Sequence, residues 1–129
     1  MKTLILVLIA ALSGSSYVAH QEKWDAPAEA DKLKNPYSLA DFKALAQGKK
    51  IYMKICWTCH GKTGKGDGPN VDNLEGKPAD FTSAAFWEQS TGSIFWKVTN
   101  GKGNMLPYED ALSDKERWKV VTYLQTMKK

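Results

Sequence analysis

Only two cysteines occur in this 129-residue chain, Cys56 and Cys59. Trp57 and Thr58 separate them, and His60 follows at once. The spacing C-x-x-C-H is the attachment pattern for c-type haem. Chemistry explains it. Two thiolates must reach two vinyl groups on one porphyrin edge, and two intervening residues let one turn of chain present both sulfurs there. His60 then lies beneath the ring, where an imidazole nitrogen can bind the iron as proximal ligand. A thioredoxin-like pair is also C-x-x-C, but it leaves His60 unexplained and no βαβ pattern surrounds it. Zinc needs four ligands. His20 is the only other histidine, it lies near a cleavage signal, and adjacent Cys59 and His60 are poorly placed to share one ion.

Residues 1–20 read as a secretory signal peptide. Lys2 supplies the positive start, Leu4 to Leu12 the apolar run, and Ser13 to Ser16 with Ala19 the small residues for cleavage. The run is short for a membrane span; an uncleaved N-terminal anchor is the competing reading. No cysteine follows it to carry a lipid. Export agrees with haem attachment, which takes place outside the cytoplasmic membrane, so a periplasmic location is expected. The formal charge is +4, and losing residues 1–20 removes one of those positive charges, Lys2. This mild basicity is not a nucleic-acid signal. Lys49, Lys50, Lys54, Lys62, Lys65, Lys97 and Lys102 cluster in sequence. They read first as a solvated face, and second as a basic rim that steers docking to an acidic redox partner.

Residues 21–37, with Trp24, Pro27 and Asn35-Pro36, are expected as an extended lead-in that tethers or wraps the domain at 38–129. Ser38 and Asp41 resemble a capping box opening a helix over 39–55, with Phe42, Leu45, Gly48, Tyr52 and Ile55 on its apolar face. Glycine within a helix costs roughly 1 kcal/mol against alanine. Gly48 therefore implies close approach of a second helix. A glycine-rich loop, Gly61 to Pro69, follows the haem motif. It lacks the phosphate-loop pattern and is expected to hug a flat cofactor, with Pro69 or a neighbour orienting His60 through a backbone carbonyl. Residues 70–90 are expected as loop with a short turn at 83–87. A helix then begins at Thr91 or Ser93 and stops at Asn100-Gly101. Trp87 and Trp96 read as packing residues, or alternatively as donors to a haem propionate. Ser113 and Glu116 form a capping box for the last helix, whose stripe of Trp118, Val120, Val121, Leu124 and Met127 is the natural partner for Gly48. Met53 and Met127 fall in or beside helices. Met105 alone sits on a loop, Gly101 to Tyr108, free to close over the second haem face.

Together these segments resemble the class I monohaem c-type cytochromes of exported bacterial proteins, over Gly48 to the C-terminus. The resemblance rests on Gly48 with Tyr52, Cys56 to Gly61, Gly64 to Pro69, Gly101 to Tyr108, and Trp118 with Tyr123-Leu124. It implies an all-α fold of three to five helices wrapped around one haem c, held by Cys56 and Cys59, with Met105 as the sixth ligand opposite His60. In many relatives proline follows that methionine directly; here Leu106 intervenes before Pro107.

The function expected is one-electron transfer rather than catalysis, because a His60/Met105 pair leaves no open iron position. Phe81, Phe86, Phe95, Trp96 and Leu106 are candidate pocket walls by apolarity and position. The partners expected are redox proteins: a respiratory complex, a terminal oxidase, or a periplasmic reductase or dehydrogenase. No nucleic acid is implied, the membrane is reached only through partners or an uncleaved anchor, and the protein is expected to be a monomer. A haem subunit held in a larger oxidoreductase is the alternative. A haem enzyme or gas sensor ranks last, since it requires an iron that Met105 leaves open.

Overall fold

The computed structural model describes residues 23–129. The expected signal peptide over 1–20 lies outside the described residues. The described chain is all-α: four helices, α1 (Phe42–Ile55), α2 (Trp57–His60), α3 (Thr91–Asn100) and α4 (Asp114–Leu124), joined by loops and short 3-10 turns. Among the described residues no helix is long and apolar enough to cross a membrane.

The first helix starts later than expected. Asp41, not Ser38, is its cap, accepting from the Ala44 amide at 2.9 Å. Ser38 instead opens a preceding turn, in which the Asp41 amide bonds the Ser38 carbonyl at 3.0 Å. Ser38 and Asp41 therefore form no capping box. The buried row of α1 is Ala44, Gly48 and Tyr52, one residue per turn, as a ridge laid against a crossing helix requires. Phe42 lies roughly 200° around the helix from Ala44 and is 80% exposed, so it is not on the apolar face. Leu45 and Ile55 are half-buried at its flanks.

The expected partner of that row is α4. A Cβ on Gly48 would run into the Lys119 carbonyl group, its carbon 2.6 Å away, with the Tyr123 Cβ at 3.1 Å. Backbone thus meets backbone at the crossing. The capping box of α4 is complete: the Ser113 hydroxyl accepts from the Glu116 amide, and the Glu116 carboxylate accepts from the Ser113 amide at 2.9 Å. Behind the crossing, Trp118, Val120, Val121 and Leu124 join Tyr52, Phe81, Ile94 and Phe95 in one core. Trp118 and Phe95 stack at 4.1 Å and 15°. Helix α4 ends at Leu124, and Met127 lies beyond it in a 3-10 turn.

Residues 23–37 wrap rather than trail. A 3-10 turn over Ala28–Lys32 lays the Ala30 carbonyl against Gly92 of α3, leaving no room for a side chain there. The Asp31 carboxylate accepts from the hydroxyls of Ser90, the cap of α3, and Ser93, at 2.5 and 2.8 Å. Asn35 donates to Thr122 of α4 at 2.9 Å. Trp24 lies under the Lys97 ammonium at 5.5 Å. Between α2 and α3 the short turn falls at Ala85–Glu88, and a second, unexpected one at Val71–Asn73.

The glycine-rich loop runs from Gly61 to Pro69. What crowds its glycines is protein: the Asp67 carboxyl at Gly61, Phe81 and the Met127 sulfur at Gly64, the Pro78 carbonyl at Gly66 and the Thr58 carbonyl at Gly68. The loop is folded onto its own neighbours.

Two measurements probe these contacts. Gly48→Ala should lower stability by about 1–3 kcal/mol, the usual range for over-packing, read as a lower urea midpoint; an unchanged midpoint would mean the helices stand further apart. The second concerns Asp31, whose pKa is held below 3.8 first by the Ser90 hydroxyl and then by Ser93. A carboxyl lowered on folding stabilises above its unfolded value, and that stability fades as pH falls through the lower folded value. Asp31→Asn should therefore destabilise at neutral pH, with the difference closing below the ordinary carboxylate range. Thermal melts at pH 7 and pH 3 check this: the gap should be narrower at pH 3, and one as wide at pH 3 as at pH 7 would exclude a charge effect.

Candidate functional site

The last turn of α1 delivers the chain to Cys56, whose amide bonds the Tyr52 carbonyl at 2.9 Å. A single further helical turn, α2, then carries Trp57, Thr58, Cys59 and His60. The Cys59 and His60 amides both bond the Cys56 carbonyl, at 3.3 and 3.0 Å. This turn brings the two sulfurs and the imidazole into one neighbourhood. No disulfide joins the two cysteines. Burial, and then the neighbouring Cys59, push the Cys56 thiol up to about 12. It therefore stays protonated at neutral pH, unlike the lowered thiol of a redox-active pair.

Cys56 and His60 open onto a narrow crevice shared with Tyr52 of α1, Phe81, Val98 of α3, Met105, Tyr108, and Val120 and Leu124 of α4. Met105 and His60 are thus brought together from segments far apart in sequence. Burial pushes the His60 imidazole below its ordinary pKa, favouring the neutral form that binds metals. The Ala79 backbone pulls the other way, yet no atom stands in hydrogen-bond geometry to its buried Nδ1. The backbone acting on the ring is Ala79's, and the expected role of Pro69 or its neighbours is not found. Phe81 stacks on the imidazole at 4.6 Å and 20°.

Met105 stands in a short reversal after α3. Lys102 and Met105 exchange both backbone hydrogen bonds, at 2.9 and 3.0 Å. Gly101 makes the turn possible: its φ is +63°, and a Cβ there would strike the Met105 carbonyl, the Pro107 nitrogen at 2.5 Å and the Leu106 carbonyl carbon at 2.6 Å. Leu106, placed between Met105 and Pro107, points outward and is 66% exposed.

Of the five candidate walls, Phe81 lines the crevice. Phe86 packs behind it at 4.9 Å, Phe95 is committed to Trp118, Trp96 is half-buried outside the core cluster, and Leu106 faces solvent. Trp87 donates its indole N–H to the Phe81 carbonyl at 2.7 Å, so it packs and is not free for a propionate. Sequence reasoning missed Val98, Tyr108, Val120 and Leu124 as walls. The available signal was helical spacing: Val98 lies one turn after Ile94, and Val120 and Leu124 lie one turn apart. Of the lysines, Lys97 bonds Gln89 at 2.6 Å, and Lys62 and Lys65 share a groove with Lys128 and Lys129.

These residues fit a covalently held haem c. Two sulfurs one helical turn apart, a neutral-leaning imidazole with an unpartnered buried nitrogen, a thioether and otherwise largely apolar walls form the donor set such a group takes. Tyr108 closes one side; burial, and then Cys56 and Cys59, raise its hydroxyl pKa. Tyr52 holds the other, its buried hydroxyl donating to the Gly61 carbonyl at 2.6 Å. That bond ties α1 to the residue just after His60.

Comparison with known proteins follows the same lines. Residues 43–124 match the family described as cytochrome c oxidase, cbb3-type, subunit III. A chain of the Kuenenia stuttgartiensis reducing HAO-like protein complex Kustc0457/Kustc0458 is similar with a TM-score of 0.64 and 32% identity over 75% of this chain. This chain spans 47% of that one, somewhat under half its length. The KustC0563 c-type cytochrome is similar with a TM-score of 0.56 and 26% identity, over 64% of this chain and 98% of its own. No curated protein sequence matches.

Removing the Tyr52 hydroxyl tests the tie behind the site. Tyr52→Phe leaves the Gly61 carbonyl without that donor and should cost about 1–3 kcal/mol, as for a buried acceptor left unpaired. Urea unfolding of the haem-loaded protein measures it; a midpoint equal to the parent's would mean that water replaces the bond without loss.

Proposed function

The chain belongs to the c-type cytochrome family described as cytochrome c oxidase, cbb3-type, subunit III, and from that premise we propose that it is an exported, periplasmic carrier of single electrons in a respiratory chain. Cys56 and Cys59 would attach one haem c, and His60 and Met105 would be the residues that hold its iron. The bound haem supplies the one-electron couple. The observation that carries this reading is that Met105 and His60 line the same largely apolar crevice, with Cys56 on its wall.

The chain's own part is to exclude and to hold. Phe81, Val98, Val120 and Leu124 keep water from the crevice and disfavour added positive charge there. A neutral thioether in place of a second imidazole acts in the same direction, toward the reduced state and a higher potential. With His60 and Met105 both engaged, the iron would keep no place for substrate, which separates a carrier from a haem enzyme or sensor.

A second reading has an observation of its own. The larger similar chain belongs to a protein complex, and this chain spans 47% of it. A haem subunit that stays docked in a membrane or periplasmic oxidoreductase would use the same residues. Gel filtration of the native protein separates the two: migration as a small monomer supports the shuttle, and co-migration with a large assembly supports the subunit.

Visible spectra of oxidised and reduced protein, beside Met105→Ala, test the ligand set. The expected result is a low-spin spectrum with a weak red band in the ferric state that disappears in the variant. A parent protein that is high-spin and binds carbon monoxide readily would overturn the carrier reading.

A further inference from the structure

Arg117 is buried, only 4% exposed, on the first turns of α4. Burying a guanidinium costs several kcal/mol unless its donors are used. Here they are turned on the chain between the methionine loop and α4. Nη1 faces the carbonyls of Tyr108, Glu109 and Leu112 at 3.3, 2.9 and 2.7 Å. Nη2 donates to Asp114 at 2.5 Å. The guanidinium lies 5.3 Å over the ring of Phe95, which itself stacks on Trp118. The remaining donor, Nε, is buried without a partner. A cation held with one donor unused, while another nitrogen converges on three backbone oxygens, is placed for those oxygens.

The residues it grips close the segment that carries Met105. At its near end the segment is fixed by Gly101 and the paired backbone bonds of Lys102 and Met105. At its far end the Tyr108 amide bonds the α3 carbonyls of Val98 and Thr99 at 3.2 and 3.1 Å, and the Tyr108 carbonyl meets Arg117. Between these two anchors Met105 faces the crevice and Leu106 faces solvent.

We propose that Arg117 is a positioning residue: its guanidinium clamps residues 108–112 so that Met105 is held over the crevice against competing ligands. This rests on the reading of Met105 as an axial ligand. A rigid, planar, always-charged fork suits three diverging carbonyls, and lysine cannot replace it. Loosening the clamp raises the fraction of molecules in which Met105 has swung away. An external ligand then binds more tightly in proportion to that open fraction.

The test uses the haem-loaded protein, with Arg117→Lys and Arg117→Met beside Ile94→Val, a mild core variant away from the segment. Two quantities are read: imidazole affinity of the ferric protein, and amide exchange across residues 103–112. The expected result is imidazole binding about tenfold tighter in both Arg117 variants, with faster exchange confined to 103–112 and unchanged helix exchange. Ile94→Val should lower the urea midpoint without moving either readout. Exchange and affinity at parent levels in Arg117→Lys and Arg117→Met overturn the clamp. So does a change no larger than that in Ile94→Val, which would mean Arg117 serves global stability alone. If Arg117→Met fails to fold, Arg117→Lys decides by the same criteria. A parent protein that binds imidazole as readily as Met105→Ala defeats the ligand assignment instead, and the positioning of Met105 falls with it. Exchange at 103–112 then still shows whether Arg117 holds the segment.

Discussion

The contact between Gly48 and the Lys119 carbonyl group is the constraint on which the rest depends. It lets α1 and α4 cross backbone to backbone, and the crossing fixes where each helix points beyond it. On α1, one turn further on, it sets Tyr52 in the core and, a turn beyond that at the helix end, Cys56 at the crevice. On α4 it turns Val120 and Leu124 inward as the wall that faces His60. A side chain at position 48 would separate the helices and with them the two sides of the site.

From this frame the site is assembled by local devices of short range. One turn of helix groups Cys56, Cys59 and His60. The Tyr52 hydroxyl secures the backbone just after them. Across the crevice Met105 depends on a left-handed glycine and a pair of backbone bonds, then on Tyr108 and the buried Arg117. The lead-in stabilises the opposite end of α3: Asp31 engages Ser90 and Ser93, and Gly92 accommodates the Ala30 carbonyl. Residues 28–33 lie outside the family match of 43–124, yet they seat the helix from which the methionine loop departs.

Electrostatics in the crevice act by exclusion. Burial is the leading cause of the shifts at Cys56, His60 and Tyr108 alike, and each group is driven toward its neutral form. The basic residues lie elsewhere, as with Lys62 and Lys65 beside Lys128 and Lys129. The chain's charge therefore sits on its surface, where it bears on encounter with partners, and not on the walls of the site.

Much of this was legible in sequence because it is carried by local rules. C-x-x-C-H is a covalent spacing, the Ser113–Glu116 box is a helix-terminus hydrogen-bond pattern, and Gly48 on an apolar face announces a close neighbour. The all-α architecture and the pairing of first and last helices follow from such signals. What sequence misplaced were choices between equivalent local options. Asp41 rather than Ser38 caps α1 because the Ser38 turn claims the residues between them, and Phe42 is exposed because α4 occupies the Ala44 side. The walls Val98, Tyr108, Val120 and Leu124, the Ala79 backbone beside His60, and the grip of Arg117 on three carbonyls join residues from separate segments. Only tertiary packing decides such meetings, because apolar periodicity states which face of a helix is buried and never against what.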